Sequence, residues 1–172
     1  GSIANDAVLA ESSGAWTIQG DPTDAAFLVA ERKAGFTAAR EGRYRRAGEL
    51  PFTSERKLMS TIATGAEEAP FTLFTKGAPD VLIERCSHER AGSRVAPFDA
   101  DRKATVRQHI DRLSDRALRT LAVAYRSLPG QELPDTSCPQ VEAELERDLV
   151  FAGVVGIIDP PRTEAAEAVA AA

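Results

Sequence analysis

Phe71-Thr72-Leu73-Phe74-Thr75-Lys76-Gly77-Ala78-Pro79 is the stretch from which the fold is most directly read. Residues 71–76 mix aromatic, β-branched and polar side chains and read as a short strand. Gly77 follows as a position without a side chain. Pro79, whose ring presets a helical φ, suits the first turn of a helix running through Cys86. Upstream, residues 49–52 and 57–62 are further β-leaning runs separated by turn-rich segments.

Toward the N-terminus, residues 6–12 predict a short helix and residues 16–19 an extended piece. Gly20-Asp21-Pro22-Thr23-Asp24 is a strong helix start, with Asp21 at the N-cap, Pro22 at the first helical position and Asp24 three residues after the cap. The helix is expected over residues 25–33, with Phe27 and Ala30 on its apolar stripe, and to stop at Gly35.

Downstream, residues 87–97 read as a loop and residues 101–114 as a long helix, with Val106, Ile110 and Leu113 spaced for one face. Residues 118–124 are a strand or a helical continuation; periodicity does not decide. Residues 128–137 predict a loop and residues 141–147 a short polar helix. Residues 149–158 form a near-continuous apolar run broken by glycines, which reads as a buried strand. Asp159-Pro160-Pro161-Arg162 ends it, because two successive prolines cannot donate to a ladder. Strands cluster with helices around them instead of alternating with them. The class is therefore α+β, a mainly antiparallel sheet flanked by helices.

A length of 172 residues suits one domain. An apolar fraction of 43% and a charged fraction of 27% are those of a globular chain and exclude a disordered tail, coiled coil or collagen. A net charge of −5 argues against a nucleic-acid partner, which needs a basic face. Cys86 and Cys138 stand far apart, so no disulfide framework or metal-ligand spacing is present, and a reducing compartment fits. The apolar run at 149–158 is too short to cross a bilayer, which takes about 20 helical residues. Gly1-Ser2 reads as a tag-cleavage scar, and residues 163–172 as a helix cut short. The expected organisation is a domain over residues 1–162 and a truncated onward connection over residues 163–172.

Neither G-x-x-x-x-G-K-[ST] nor G-x-G-x-x-G occurs, so the two commonest phosphate loops are missing. His88 and His109 sit in unrelated contexts, no G-x-S-x-G elbow exists, and no catalytic or metal-ligating residue is expected. Four segments are odder than a bland domain requires, Asp159-Pro160-Pro161-Arg162 among them. Pro51-Phe52-Thr53-Ser54-Glu55-Arg56-Lys57 sets an aromatic five residues before a lysine, Lys76-Gly77-Ala78-Pro79 ends a strand, and Arg119 lies among apolar neighbours. Taken singly, Phe52 reads as a core aromatic, Lys57 and Lys76 as solvated surface, and Arg119 as half of a salt bridge. Taken together they suggest an aromatic face for a base and cations for a polyphosphate. Gly77 would admit close approach of a ligand.

Gly20-Asp21-Pro22-Thr23-Asp24 and these segments occur in the order seen in P-type cation-transporting ATPases. Over residues 20–162 the chain resembles the nucleotide-binding domain of their calcium-pump-like branch. The resemblance implies that Mg-ATP docks here, magnesium being held mainly by a phosphorylation domain that lies outside this chain. Position by position it implies Phe52 stacked on adenine, Lys76 at the deep end, Lys57 beside the nucleotide, and Arg119 on the phosphate or ribose side. It also implies Asp24 near the adenine amino group and Gly77 giving the base clearance. Residues 159–162 match the return hinge.

Two departures stand out: Asp24 replaces the glutamate common in calcium-pump relatives, and Ser54 replaces an arginine that some carry. The D-K-T-G-T, T-G-D and G-D-G-x-N-D segments do not occur in this sequence. The resemblance therefore implies an ATP-binding part of an ATP-hydrolysing cation translocase, inactive by itself. Its partners would be the phosphorylation and actuator domains of the same chain, with no nucleic acid and no membrane contact of its own. Its place would be the cytoplasmic side of a membrane, the arginine-rich, alanine-rich composition hinting at a bacterial plasma membrane. The alternative is a protein-interaction or regulatory module that keeps the fold without nucleotide.

Overall fold

The computed structural model describes residues 1–12, 15–66, 69–130, 132–136 and 139–158. The expected hinge, Asp159-Pro160-Pro161-Arg162, and the expected helix start at 163–172 lie outside the described residues, as does Cys138. In chain order the elements begin β1 (Val8–Ser12), β2 (Ala15–Gln19), α1 (Pro22–Lys33), α2 (Thr37–Arg43), β3 (Arg45–Leu50), β4 (Leu58–Thr64) and β5 (Phe71–Gly77). They continue α3 (Pro79–Arg85), β6 (Cys86–Ala91), β7 (Arg94–Pro97), α4 (Ala100–Ser114), β8 (Leu118–Leu128), α5 (Pro139–Leu145) and β9 (Leu149–Ile158).

Among the described residues, β1 and β2 form a separate hairpin, and the other strands form a seven-stranded sheet ordered β3-β4-β5-β8-β9-β6-β7. Only the β6–β9 pair is parallel; the others are antiparallel. The α+β, mainly antiparallel expectation is borne out.

Register sorts the sheet's two faces, because neighbours across a ladder point the same way. Leu58 pairs with Gly77, Ser60 with Thr75 and Ile62 with Leu73, while Thr75 and Gly77 pair with Ala124 and Ala122. This face carries the core: Leu58, Ile62, Leu73, Ala122 and Ala124 pack with Leu82 and Ile83 of α3, Val106 and Ile110 of α4, and Leu145 of α5. Phe98 stacks on Phe151 with centroids 4.9 Å apart. Val106 and Ile110 therefore face the core as their spacing predicts. On the opposite face, Met59, Lys76 and Val123 lie in register, and α1 covers that end of the sheet through Phe27 and Asp24.

Asp21 caps α1 as expected: it has extended backbone angles and its carboxylate accepts from the Thr23 amide at 2.7 Å. Four expectations need correction. Residues 8–12 are strand, not helix, since a seven-residue helix is marginal in water while the hairpin with β2 satisfies both backbones. Ala30 is exposed, and it is Ala25 that joins Phe27 in the interior. The expected loop at 87–97 is the β6–β7 hairpin, turned at Gly92 with φ +63. Its charged sequence read as loop because β7 is an edge strand, where polar side chains are the rule. Arg119 is exposed near the start of β8, not buried among apolar neighbours, because strand alternation turns it away from the side chains beside it in sequence. Residues 118–124 resolve as strand, paired on both sides with β5 and β9. α2 has no counterpart among the elements expected from the sequence.

Candidate functional site

A cavity of about 620 Å3 opens where the start of α1, the turn after Leu50, the end of β5 and the start of β8 meet. Asp24, Phe52, Lys57, Lys76, Gly77 and Arg119 all line it. Six of the seven residues singled out from the sequence, up to 95 positions apart, are thus brought together. The seventh, Ser54, is exposed on the same turn as Phe52 but does not line the cavity.

Phe52 is no core aromatic, for its ring is 60% exposed. Lys76 is the reverse of a solvated lysine, being 5% exposed. It is buried because it sits on the α1-covered face of β5, where its stem lies in the interior. Its ammonium donates to Asp24 Oδ1 at 2.5 Å and stands 5.9 Å from the Phe27 ring centroid. Burial pushes its pKa below the usual lysine value, and the hydrogen bond and charge of Asp24 work against that fall. The other Asp24 oxygen accepts from the Asp6 amide at 3.3 Å. Each oxygen keeps a further lone pair for an incoming donor.

Arg119 donates to Thr23 Oγ1 at 3.0 Å, so the N-terminal turn of α1 and the start of β8 are tied across the cavity mouth. The Thr23 side chain holds the Asp21 carboxyl below its usual pKa, with backbone hydrogen bonds and the Arg119 charge assisting. Lys57 is exposed and stands 3.8 Å from Asp80, a pair worth little in water. Its φ of +55 is unusual for a residue with a side chain.

Gly77 is required for a different reason from the one its place in the sequence suggested. A Cβ there would lie 2.2 Å from the Lys57 carbonyl oxygen and 2.7 Å from the Leu58 side chain. The turn's own backbone fills that space, and the Lys57 carbonyl accepts from the Ala78 amide at 3.1 Å. Sequence reasoning gave no role to Asp6 or Thr23. Thr23 sits inside the quoted helix-start motif, whereas nothing around Asp6 marks it.

The cavity holds the acids Asp6, Asp21 and Asp24 against the cations Lys57, Lys76 and Arg119, so its charge is near balance. No lined-up nucleophile and base occur in it, and among the described residues no three His, Cys, Asp or Glu side chains gather as metal ligands. The cavity sets an open ring at its rim, a buried ammonium at its floor and a guanidinium at its edge. Among the described residues no helix is long and apolar enough to cross a membrane.

Residues 1–164 match the family described as P-type ATPase, cytoplasmic domain N. A calcium-transporting ATPase of Bacillus subtilis is 38% identical over 170 residues, 98% of this chain and 18% of that protein. A calcium-transporting ATPase of Listeria monocytogenes is 37% identical over 145 residues, 83% of this chain and 16% of that protein. A probable cation-transporting ATPase F of Mycobacterium tuberculosis is 34% identical over 173 residues, 99% of this chain and 18% of that protein. The chain thus spans less than a fifth of the length of these relatives.

Proposed function

Because this chain belongs to the family of P-type ATPase cytoplasmic N domains, we propose that it holds ATP for phosphoryl transfer to an aspartate on another domain of a cation-transporting ATPase. The observation that carries this reading is the Phe52 ring, 60% exposed at the mouth of a cavity whose floor is a buried lysine. Adenine stacked on that ring gains about 1–3 kcal/mol, as bases do on aromatic side chains elsewhere. Asp24 receives the adenine amino group through its remaining acceptor positions; its side chain is a methylene shorter than glutamate, so a bridging water completes the contact. Lys76 supplies a point charge at the deep end, and Arg119 and Lys57 face the ribose and phosphates. Gly77 contributes backbone to that wall of the cavity.

Three cations balanced by three carboxylates offer the phosphates little net attraction. Affinity is accordingly weak, about 0.1–1 mM, or roughly −4 to −5.5 kcal/mol. Magnesium arrives with the phosphates and is held mainly by the phosphorylation domain. This chain's part is placement and partial charge neutralisation, which are the larger share of what phosphoryl transfer needs. Residues 1–162 form the nucleotide-binding domain, residues 159–162 the return hinge and residues 163–172 the start of the phosphorylation domain. The parent protein couples ATP hydrolysis to movement of calcium or a related cation across a bacterial plasma membrane, with this domain on the cytoplasmic side. Its phosphorylation and actuator domains are this domain's partners.

Titration of ATP followed by proton–nitrogen NMR tests the reading. Saturable shifts centred on Phe52 and Lys76 are expected, and their loss in folded Phe52→Ala and Lys76→Ala. Shifts unchanged in both variants refute the assignment, and silence of the wild-type chain favours an interaction module. A phosphate-release assay on the chain is expected to read zero; steady release would refute a purely positional role.

A further inference from the structure

Residues 51–57 carry Phe52 yet belong to no strand or helix, so their shape is held by turn hydrogen bonds and side-chain contacts. Within the turn, the Lys57 amide donates to the Thr53 carbonyl at 2.8 Å, and the Arg56 amide donates to Thr53 Oγ1 at 3.2 Å. The wider anchor is Arg56. One arm of its guanidinium donates to Glu146 Oε1 at 2.7 Å, and the other donates to the Pro51 carbonyl, directly before Phe52. Glu142 adds an ion pair at 3.6 Å from Nε.

Glu146 is fully buried. Its Oε1 also accepts from Ser60 Oγ at 2.7 Å, and Ser60 shares a 2.8 Å hydrogen bond with Thr75. Its Oε2 has no hydrogen-bond partner, with Arg85 3.9 Å away. A buried carboxylate left half-satisfied is costly, and well-packed apolar residues in place of the whole ion cluster would serve stability as well or better. The cluster joins the end of α5 to β4, to β5 beside Lys76, and to the turn bearing the ring.

We propose that Glu146, acting through Arg56, is a positioning residue that holds the Phe52 ring at the cavity mouth. This rests on the reading that Phe52 receives the base. The planar fork of Arg56 fixes the Pro51 carbonyl relative to a buried, immobile anchor, which limits the directions the next residue takes. Lysine could supply the charge at that place but not the two-armed geometry.

The test uses the 172-residue chain and the variants Arg56→Met, Arg56→Lys, Glu146→Gln and Phe52→Leu, with thermal melts to establish folding. Without ligand, backbone order parameters of residues 52–55 should fall in Arg56→Met from about 0.85 toward 0.6. Arg56→Lys keeps the buried carboxylate neutralised and should fall part of the way, so it carries the test if the methionine variant fails to fold. Glu146→Gln should change in the same direction. ATP binding should weaken about 5-fold in Arg56→Met, inorganic tripolyphosphate binding should not change, and Arg56→Met should add nothing in the Phe52→Leu background. Unchanged order parameters in Arg56→Met and Arg56→Lys overturn the proposal. Equal losses for ATP and tripolyphosphate also overturn it, since they make Arg56 a charge and not a brace. If the wild-type chain ignores ATP, the nucleotide reading falls while the ligand-free relaxation still decides whether Arg56 holds the ring.

Discussion

Replacing Asp24 with asparagine keeps the shape of the cavity floor but strips the buried Lys76 ammonium of its counter-charge. In the native chain the two groups stand 2.5 Å apart, with side-chain exposures of 6% for Lys76 and 16% for Asp24. Breaking a buried pair from one side costs about 3–5 kcal/mol, and the water that reaches Asp24 puts this case at the lower end, about 3 kcal/mol. For a domain of this size each kcal/mol lowers Tm by about 2–4 °C, so a fall of about 6–12 °C is expected near neutral pH. The pH dependence has a definite sign. Lys76 titrates below its unfolded value of 10.5 because burial penalises the charged form. Between the folded and unfolded values the unfolded chain binds more protons, so stability rises with pH there. Removing Asp24 lowers the folded value further and widens that window downward. The stability deficit of Asp24→Asn should therefore be greatest below the window and shrink as pH rises toward 10. Asp24→Asn combined with Lys76→Met should be more stable than Asp24→Asn alone, because no unpaired charge is left buried. Thermal melts of the variants at pH 6, 8 and 10 check this. An Asp24→Asn melt within about 2 °C of wild type at pH 6, or a deficit that ignores pH, would refute the reasoning.

Ser54→Arg should strengthen ATP binding about 2–5-fold at low salt and lose that gain as ionic strength rises, because the added charge sits on an exposed turn. No gain in a low-salt calorimetric titration would show that the missing cation does not limit affinity. Asp21→Ala should cost about 1 kcal/mol through loss of the α1 cap. The cap's share is present above the ordinary carboxyl pKa of 3.8 and lost as pH falls through the lower folded value, so the two proteins' urea midpoints should converge in acid. Gly77→Ala should cost about 1–3 kcal/mol, since the new methyl meets the Lys57 carbonyl. An unchanged melt for Gly77→Ala would mean that the turn relaxes freely.

Local chemistry was legible where it is set by neighbours in the chain. The Asp21 cap, the proline starts at Pro22 and Pro79 and the long amphipathic α4 all rest on interactions within a few residues. Some elements whose identity depends on a distant partner were not. β1 is a strand because β2 pairs with it, and β6–β7 looks like a loop until it is placed at the sheet's edge. The cavity residues were legible as types, by their order along the chain and the resemblance this order carries, but their burial was not. Phe52 reads as core and is exposed, while Lys76 reads as solvent-facing and is buried.

Sequence alone determined the set of candidate residues and the class of fold, because residue type, spacing and cap chemistry survive without coordinates. Tertiary structure alone decided which faces they occupy. The sheet's register put Lys76 on the side that α1 covers and opposite Asp24, and the contacts of Arg56 with buried Glu146 span 90 positions of chain. Desolvation, the force that shifts Lys76 and makes Glu146 costly, exists only once distant segments have closed over a group and removed its water.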